Sequence, residues 1–172
     1  MGVTALRTDV TLRRAHEADA ATIARHRADM FSDMGDLPEA LRADLEDATR
    51  RRLTDALRSG EYVGWLVETD DAERAVVAGG GVLVRARLPR PGTVAGVPRV
   101  LVGREAIVYN MFTERAWRRR GLARRLMEEI VAWARASDVD GLVLHASDEG
   151  RPLYASLGFV DTNEMRFAAT LR

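Results

Sequence analysis

Positive charge is concentrated in one short segment of the chain. Six arginines fall within eleven residues that contain no acid, and Gly121 stands among them. The six are Arg115, Arg118, Arg119, Arg120, Arg124 and Arg125. An amphipathic pattern typical of a helix follows, and each cation near a helix N-terminus costs about 0.3–1 kcal/mol unless an anion offsets it. The segment therefore predicts an anion site at the start of a helix.

Gly121 and Ala123 suit this segment to a phosphate. A glycine lets the backbone turn tightly and approach a ligand, and the small Ala123 keeps the next turn close. Backbone amides could then bind a pyrophosphate while the arginines neutralise it. A solvated basic helix start is the alternative for so short a pattern. Two common phosphate motifs are excluded, because the chain has neither a lysine for a Walker A site nor a Gly-x-Gly-x-x-Gly.

The elements around the turn form a regular order. Residues 106–112 are an apolar run typical of a buried strand, and residues 141–146 are a second such run. A short helix is predicted over residues 153–159. Between the two strands, apolar residues recur at helical spacing. They are Leu122, Leu126, Ile130 and Trp133.

This order resembles the GNAT superfamily of acetyl-CoA-dependent N-acetyltransferases. The residues that carry the resemblance are Arg118-x-x-Gly121-x-Ala123 and Leu153-Tyr154-x-x-x-Gly158-Phe159. It covers residues 105–159, about a third of the chain. It implies an α/β (α+β) fold, in which about four helices flank a central, mixed, mostly antiparallel twisted sheet of about six to seven strands. We expect one such domain over residues 1–172.

The resemblance also implies roles for particular residues. In this family the strand before the glycine turn bulges and splays from its neighbour. Its backbone holds the pantetheine arm and polarises the thioester carbonyl; the matching positions are Met111, Phe112 and Thr113. Backbone amides at the turn bind the CoA pyrophosphate; the matching positions are Arg118, Arg119, Arg120, Gly121, Leu122, Ala123 and Arg124. Tyr154 matches the tyrosine that protonates the departing thiolate, and Ser147 stands where the family often has asparagine.

The implied reaction is a direct transfer from acetyl-CoA to a primary amine of a small molecule or a peptide. The protein must place two substrates, stabilise an oxyanion and manage two protons. The chain has no cysteine and no lysine, so neither can form a covalent intermediate. Glu105, Glu114 and His145 are candidates for the general base, and the choice between them stays open. No metal is expected.

Composition limits the alternatives. The chain has 172 residues, 47% of them hydrophobic, and 26 basic residues balance 26 acidic ones. Zero formal charge argues against nucleic acid as a partner. No apolar run approaches the ~20 residues that span a bilayer, so we expect no membrane partner and a cytoplasmic location. The alternative functions are an acyl-CoA sensor without turnover and a nucleic-acid-binding domain that uses the arginine cluster.

The first hundred residues agree with the family only in layout. Strands are predicted over residues 10–13, 62–68 and 75–87, and helices over residues 19–31 and 38–60. The resemblance implies that residues 26–36, which span the end of the first helix and the loop after it, line the acceptor pocket. Their apolar members, Met30, Phe31 and Met34, would form walls or else seal the core. Their acids, Asp29, Asp33 and Asp36, would attract an amine.

Residues 88–103 read as a long irregular loop, because three prolines and three glycines interrupt them. Two roles remain open for this loop. It would either cover the substrate cleft or mediate self-association, for which a homodimer is one option.

Overall fold

The structure is a computed structural model that describes residues 10–162. Within this range the chain forms seven strands and four α-helices. The strands are β1 (Val10–Arg14), β2 (Tyr62–Thr69), β3 (Val76–Ala86), β4 (Arg90–Val94), β5 (Val97–Leu101), β6 (Arg104–Thr113) and β7 (Val139–Val143). The helices are α1 (Ala20–Met34), α2 (Arg42–Ser59), α3 (Leu122–Ala136) and α4 (Arg151–Ser156). No helix of this range is long and apolar enough to cross a membrane.

Five strands form one mixed sheet in the order β1-β2-β3-β6-β7. Every pairing in it is antiparallel except that of β6 with β7, which is parallel. Parallel neighbours require a crossover connection, and α3 supplies it. The predicted fold class is therefore confirmed, and the remaining two strands stand apart from this sheet.

Alternating residues of β2 show how the two faces of the sheet are covered. Trp65 and Val67 pack with the buried residues of α3, whereas Leu66 packs with those of α1 and α2. Because successive side chains of a strand point to opposite faces, this alternation gives the sheet two hydrophobic cores. The apolar stripe predicted for α3 explains its position, since Leu126 and Ile130 are completely buried.

The strand β6 changes its pairing halfway along its length. It pairs with β7 only as far as Ile107, which lies opposite Val143. On its other edge, the register with β3 then shifts by one residue, so Asn110 and Met111 together oppose Gly80. Asn110 takes the left-handed conformation, with φ of 59°. The second half of β6 consequently carries a bulge and has β3 as its only neighbour among the described strands.

Residues 88–103 correct the loop predicted from the sequence. They contain a two-stranded antiparallel ribbon made of β4 and β5. Ala95 and Gly96 form its turn with φ of 49° and 79°, the positive values that suit tight hairpins. Pro91 is tolerated because the ribbon stands outside the main sheet.

The strand predicted over residues 141–146 is also corrected, because β7 begins at Val139 and ends at Val143. His145 and Ser147 therefore follow the strand. The reason is the separation of β6 from β7, since a strand without a partner has no ladder to continue.

The packing of α3 gives a test of the fold. Replacing Leu126 with alanine removes a side chain with 0% exposure and leaves a cavity between α3 and the sheet. We expect the free energy of unfolding, measured with urea, to fall by about 2–5 kcal/mol. Glu129→Ala, at an exposed position of the same helix, should change it by less than about 0.5 kcal/mol. Equal losses in the two variants would contradict this packing.

Candidate active site

At the turn between β6 and α3, six consecutive backbone amides have no backbone acceptor within residues 10–162. They belong to residues 119–124, and the first helical hydrogen bond runs from the Arg125 N–H to the Gly121 carbonyl oxygen at 3.0 Å. Arg119 and Gly121 have φ of 63° and 81°. Such a left-handed turn before a helix directs successive N–H groups into one concave surface that suits an anion. The backbone of residues 119–124 thus forms a cradle that suits an anion.

The conformation of the cradle constrains its residues. Gly121 adopts its positive φ without steric strain, because it has no Cβ. Arg119 has a Cβ, so its positive φ is strained. Leu122, directly after the turn, is buried in the core beneath α3. The packing of α3 therefore holds the strained turn in place.

The arginine side chains do not all point to the cradle. Arg115 and Arg118 both bind the carboxylate of Asp33 at the end of α1. These two hydrogen-bonded guanidinium groups hold the pKa of Asp33 below its usual range. Arg118 also donates to the Thr113 carbonyl oxygen at 2.9 Å. An acid that lies 82 and 85 residues away in the sequence therefore binds two of the predicted cations and compensates one of their two positive charges.

The remaining arginines of the segment differ in their surroundings. Arg120 lies 4.6 Å from the centre of the Trp117 ring. Arg124 donates to the Ser156 hydroxyl at 2.9 Å, which ties the start of α3 to α4. Arg119 makes no side-chain hydrogen bond within residues 10–162. Arg120 and Arg124 thus contact other residues of the protein beside the cradle. The side chain of Arg119 remains available for a ligand.

Met111, Phe112 and Thr113 lie in the half of β6 that has no β7 partner. Met111 packs over Gly80, where an added Cβ would collide with the methionine sulfur. Phe112 is buried, and its ring centre lies 5.0 Å from that of His26. On the edge of β6 that faces β7, the backbone groups of this half have no partner among the described strands, so they are available to a ligand.

Tyr154 lies on α4, and its half-buried ring packs edge-to-face on Phe159 with centres 6.2 Å apart. Burial raises the pKa of its phenol. The hydroxyl has no hydrogen-bond partner in the described part of the chain. Ser147 precedes this helix, and its hydroxyl accepts a hydrogen bond from the Gly150 N–H at 3.2 Å. Ser147 therefore shapes the turn that leads into α4.

The three candidates for the general base have very different environments. Glu105 is buried near the start of β6, where Arg85 and Arg87 bind its two carboxylate oxygens. His145 is exposed beyond the end of β7. Glu114 directly follows β6, and its carboxylate accepts from Arg25 at 2.8 Å. Of the three, Glu114 is closest in the chain to Met111, Phe112 and Thr113.

His26 is a buried histidine that the sequence analysis did not select. Its side chain is 1% exposed, and its Nε2 lies 3.4 Å from Glu114 Oε1. Burial and then the nearby charge of Arg25 lower its pKa to about 4, against a weaker opposite effect of Glu114. The imidazole is therefore neutral at physiological pH.

A cavity of about 820 Å³ lies between α1, α2, the start of β3 and the segment after β6. Its acids are each bound by arginine: Asp29 by Arg25 and Arg42, and Asp33 by Arg115 and Arg118. The third acid is Glu114, which Arg25 binds. The expectation that Asp29 and Asp33 attract an amine is thus weakened, because their charges are compensated within the protein.

Asn110 connects the bulge of β6 to α1 and to β2. Its Oδ1 accepts from Arg27 of α1 at 2.7 Å, and its Nδ2 donates to the Tyr62 hydroxyl at 3.3 Å. Burial raises the pKa of Tyr62 to about 12, so this hydroxyl stays protonated. Sequence reasoning missed Arg27 and Asn110, since the only signal was that asparagine tolerates a positive φ.

Comparisons with known proteins agree with this geometry. A family model described as an acetyltransferase (GNAT) domain matches residues 88–172. A GCN5-related N-acetyltransferase from Ralstonia eutropha JMP134 has 28% sequence identity and a TM-score of 0.76, with 94% of this chain and 99% of that chain covered. No curated protein gives a significant match.

Two further solved structures share the fold at lower identity. A predicted acetyltransferase with acetyl-CoA from Clostridium acetobutylicum has 24% identity and a TM-score of 0.77, with 94% of this chain and 96% of that chain covered. An aminoglycoside N-acetyltransferase in complex with CoA has 13% identity and a TM-score of 0.65, with 95% of this chain and 96% of that chain covered.

Residues 88–172 thus match a GNAT acetyltransferase domain, and the chain has the fold of GNAT-family acetyltransferases, as the resemblance predicted. This match and the fold indicate acyltransferase activity.

The buried His26 predicts a specific acid sensitivity. Its pKa is lower in the folded state than the ordinary 6.5, so the unfolded state binds more protons as the pH falls from about 6.5 to about 4. This group should therefore remove about 2–3 kcal/mol of stability across that window. His26→Gln, which stays neutral, should lack this part of the loss when urea unfolding is measured at pH 7, 5.5 and 4. If the free energy of unfolding fell by the same amount in both proteins as the pH is lowered, a neutral buried imidazole at His26 would be contradicted.

Proposed function

We propose that this protein is an N-acetyltransferase that transfers the acetyl group of acetyl-CoA directly to a primary amine. The observation that carries the proposal is the cradle of amides at residues 119–124, which lie next to the open half of β6. The cradle would bind the CoA pyrophosphate, and the free guanidinium of Arg119 would add charge to it. The Clostridium acetobutylicum structure with acetyl-CoA supports this choice of cosubstrate.

The open half of β6 would position the thioester. Backbone groups of Met111, Phe112 and Thr113 would hold the pantetheine arm, and an N–H donor there would stabilise the oxyanion that forms on the acetyl carbonyl. The amine nitrogen attacks the carbonyl carbon, the carbon–sulfur bond breaks, and the amine loses a proton to a base or to water. No covalent intermediate on the enzyme is required, so the main contribution of the protein is placement.

Tyr154 would return a proton to the leaving thiolate. Its half-buried phenol stays protonated because burial raises its pKa. Its hydroxyl is not engaged by another described residue, and the Arg124–Ser156 hydrogen bond fixes α4 beside the cradle. These features support its role as the general acid.

Ligand-dependent unfolding tests the cosubstrate. A ligand that binds only the native state raises its stability by RT ln(1 + [L]/Kd), about 2.7 kcal/mol at a hundredfold excess over Kd. We expect acetyl-CoA and CoA to raise the melting temperature, and ATP at the same concentration to raise it less. In Gly121→Glu the shift should vanish, because the carboxylate repels the pyrophosphate and a Cβ strains the turn.

Gly96→Glu is the matched control for this variant. Gly96 also has a positive φ, of 79°, and open space around its Cα, but it lies in the turn of the ribbon. This variant should keep the CoA shift. Loss of the shift in both variants, or no shift in the unaltered protein, would overturn the proposed cosubstrate site. A shift without thiol release for any amine would instead favour the acyl-CoA sensor.

Substituting the proposed acid tests the chemistry. Tyr154→Phe keeps the ring packing on Phe159 but removes the proton donor. We expect kcat for thiol release to fall about 100-fold, while the melting-temperature shift with CoA is retained. Unchanged kcat would exclude Tyr154 as the acid, and loss of the CoA shift would show that the hydroxyl serves binding instead.

A further inference from the structure

Arg27 is a half-buried arginine that has no acidic partner among the described residues. Three other arginines have comparable intermediate burial in this range. Each of these has a carboxylate within 4.0 Å: Arg13 beside Asp19, Arg42 beside Asp29, and Arg90 beside Asp140. Among these four partly buried arginines, Arg27 is therefore the one that has no acidic partner within residues 10–162.

The position of the Arg27 guanidinium is well defined. Nη1 donates to Asn110 Oδ1 at 2.7 Å. The group lies 4.8 Å from the centre of the Phe31 ring and 5.8 Å from that of Tyr109. The bond from Asn110 Nδ2 to the Tyr62 hydroxyl orients the asparagine amide, so its oxygen must face Arg27. A preorganised cation results.

The other N–H groups of Arg27 remain available. None of them has a hydrogen-bond partner within residues 10–162, and none is among the buried polar atoms that lack one. They therefore reach the surface. Burial lowers the pKa of the guanidinium, which shows that its charge is only partly solvated. A partly desolvated charge without a counterion is unfavourable, and a bound anion would remove that cost.

The location connects this charge to the reaction. Tyr109 and Asn110 belong to the half of β6 that β7 does not cover, and Met111 is the next residue in the chain. Consecutive Cα atoms are about 3.8 Å apart. A molecule that reaches the proposed thioester site from the side of α1 would thus approach β6 beside Asn110, the residue that binds Arg27.

The charge of the site selects the class of anion. One guanidinium carries one positive charge, and its parallel N–H groups match the two oxygens of a carboxylate. A phosphate dianion would leave a negative charge uncompensated in a partly buried place. The nearby acids offer no competing site for a polycation, because Asp29 and Glu114 are bound by arginine.

We infer that Arg27 binds a carboxylate of the acceptor, so that the substrates are primary amines that also carry a carboxylate, such as amino acids. This inference rests on the proposed function and names its acceptor class. Phe31 and Tyr109, whose rings lie against the Arg27 guanidinium, would border the bound carboxylate. Arg27 acts in specificity rather than in proton transfer.

The test is a comparison of matched acceptors in a thiol-release assay with acetyl-CoA. The probes are α-amino acids and ω-amino acids, each paired with its own carboxamide. We expect kcat/KM for the acid to exceed that for the carboxamide by about 10- to 100-fold. In Arg27→Gln this ratio should fall to about one. The ratio does not depend on the folded fraction, so partial destabilisation cannot mimic the result.

A second variant tests the same charge without removing the arginine. Asn110→Asp is nearly isosteric, tolerates the positive φ, and places a carboxylate against Arg27. It should abolish the preference for acidic acceptors while the CoA-dependent melting shift persists. Arg58→Gln is the control for charge, because Arg58 is exposed on α2 and binds Glu17 at 2.9 Å; its ratio should equal that of the unaltered protein.

The outcomes separate this inference from the proposed function. Thiol release with equal kcat/KM for acids and carboxamides would overturn the role of Arg27 and leave the acetyltransferase intact. Release only with polyamines, aminoglycosides or amino sugar phosphates would overturn it as well. Absence of release with every amine would overturn the proposed function itself.

Discussion

The rest of the structure depends on the unequal pairing of β6. Up to Ile107 this strand has neighbours on both edges, and after that residue a bulge opposite Gly80 turns it away from β7. A strand that loses one neighbour exposes a row of backbone donors and acceptors. In most proteins such an edge is a liability, whereas here it lies inside the fold beside a helix start. The same departure explains why β7 ends at Val143 and why α4 lies next to the opening.

Electrostatic compensation determines which groups remain free for ligands. The chain uses arginine for all its basic side chains, and most of the partly buried ones are bound by acids. Asp33 binds two arginines of the basic segment and compensates one of their two charges, so their main effect is to connect α1 with the cradle. Within residues 10–162, the amides at residues 119–124 and the guanidinium of Arg27 have no acidic partner. In the proposed ternary complex, the CoA pyrophosphate would occupy the first site and the carboxylate of the acceptor would occupy the second.

Local strain coincides with these free groups. Asn110 and Arg119 both adopt left-handed conformations that side chains other than glycine rarely take. Each costs of the order of 1–3 kcal/mol and persists only because the surroundings hold it. Asn110 is held by Arg27 and Tyr62, and Arg119 is followed by Leu122, which is anchored in the core. The stable packing of α3 and of the sheet thus maintains the shape of the site in the absence of any ligand.

The sequence by itself determined the features that depend on neighbouring residues. The apolar stripe of α3, the turn at Gly121 and the order of strands and helices follow from periodicity and from the freedom of glycine, which act over a few residues. It did not reveal the ribbon of β4 and β5, because the prolines and glycines of residues 88–103 suit a loop and a solvent-exposed hairpin alike. The partners of each arginine and the isolation of Arg27 were decided only by the tertiary structure. Asp33, Asn110 and Tyr62 approach these arginines from elements far away in the chain, and local patterns carry no information about distance in space.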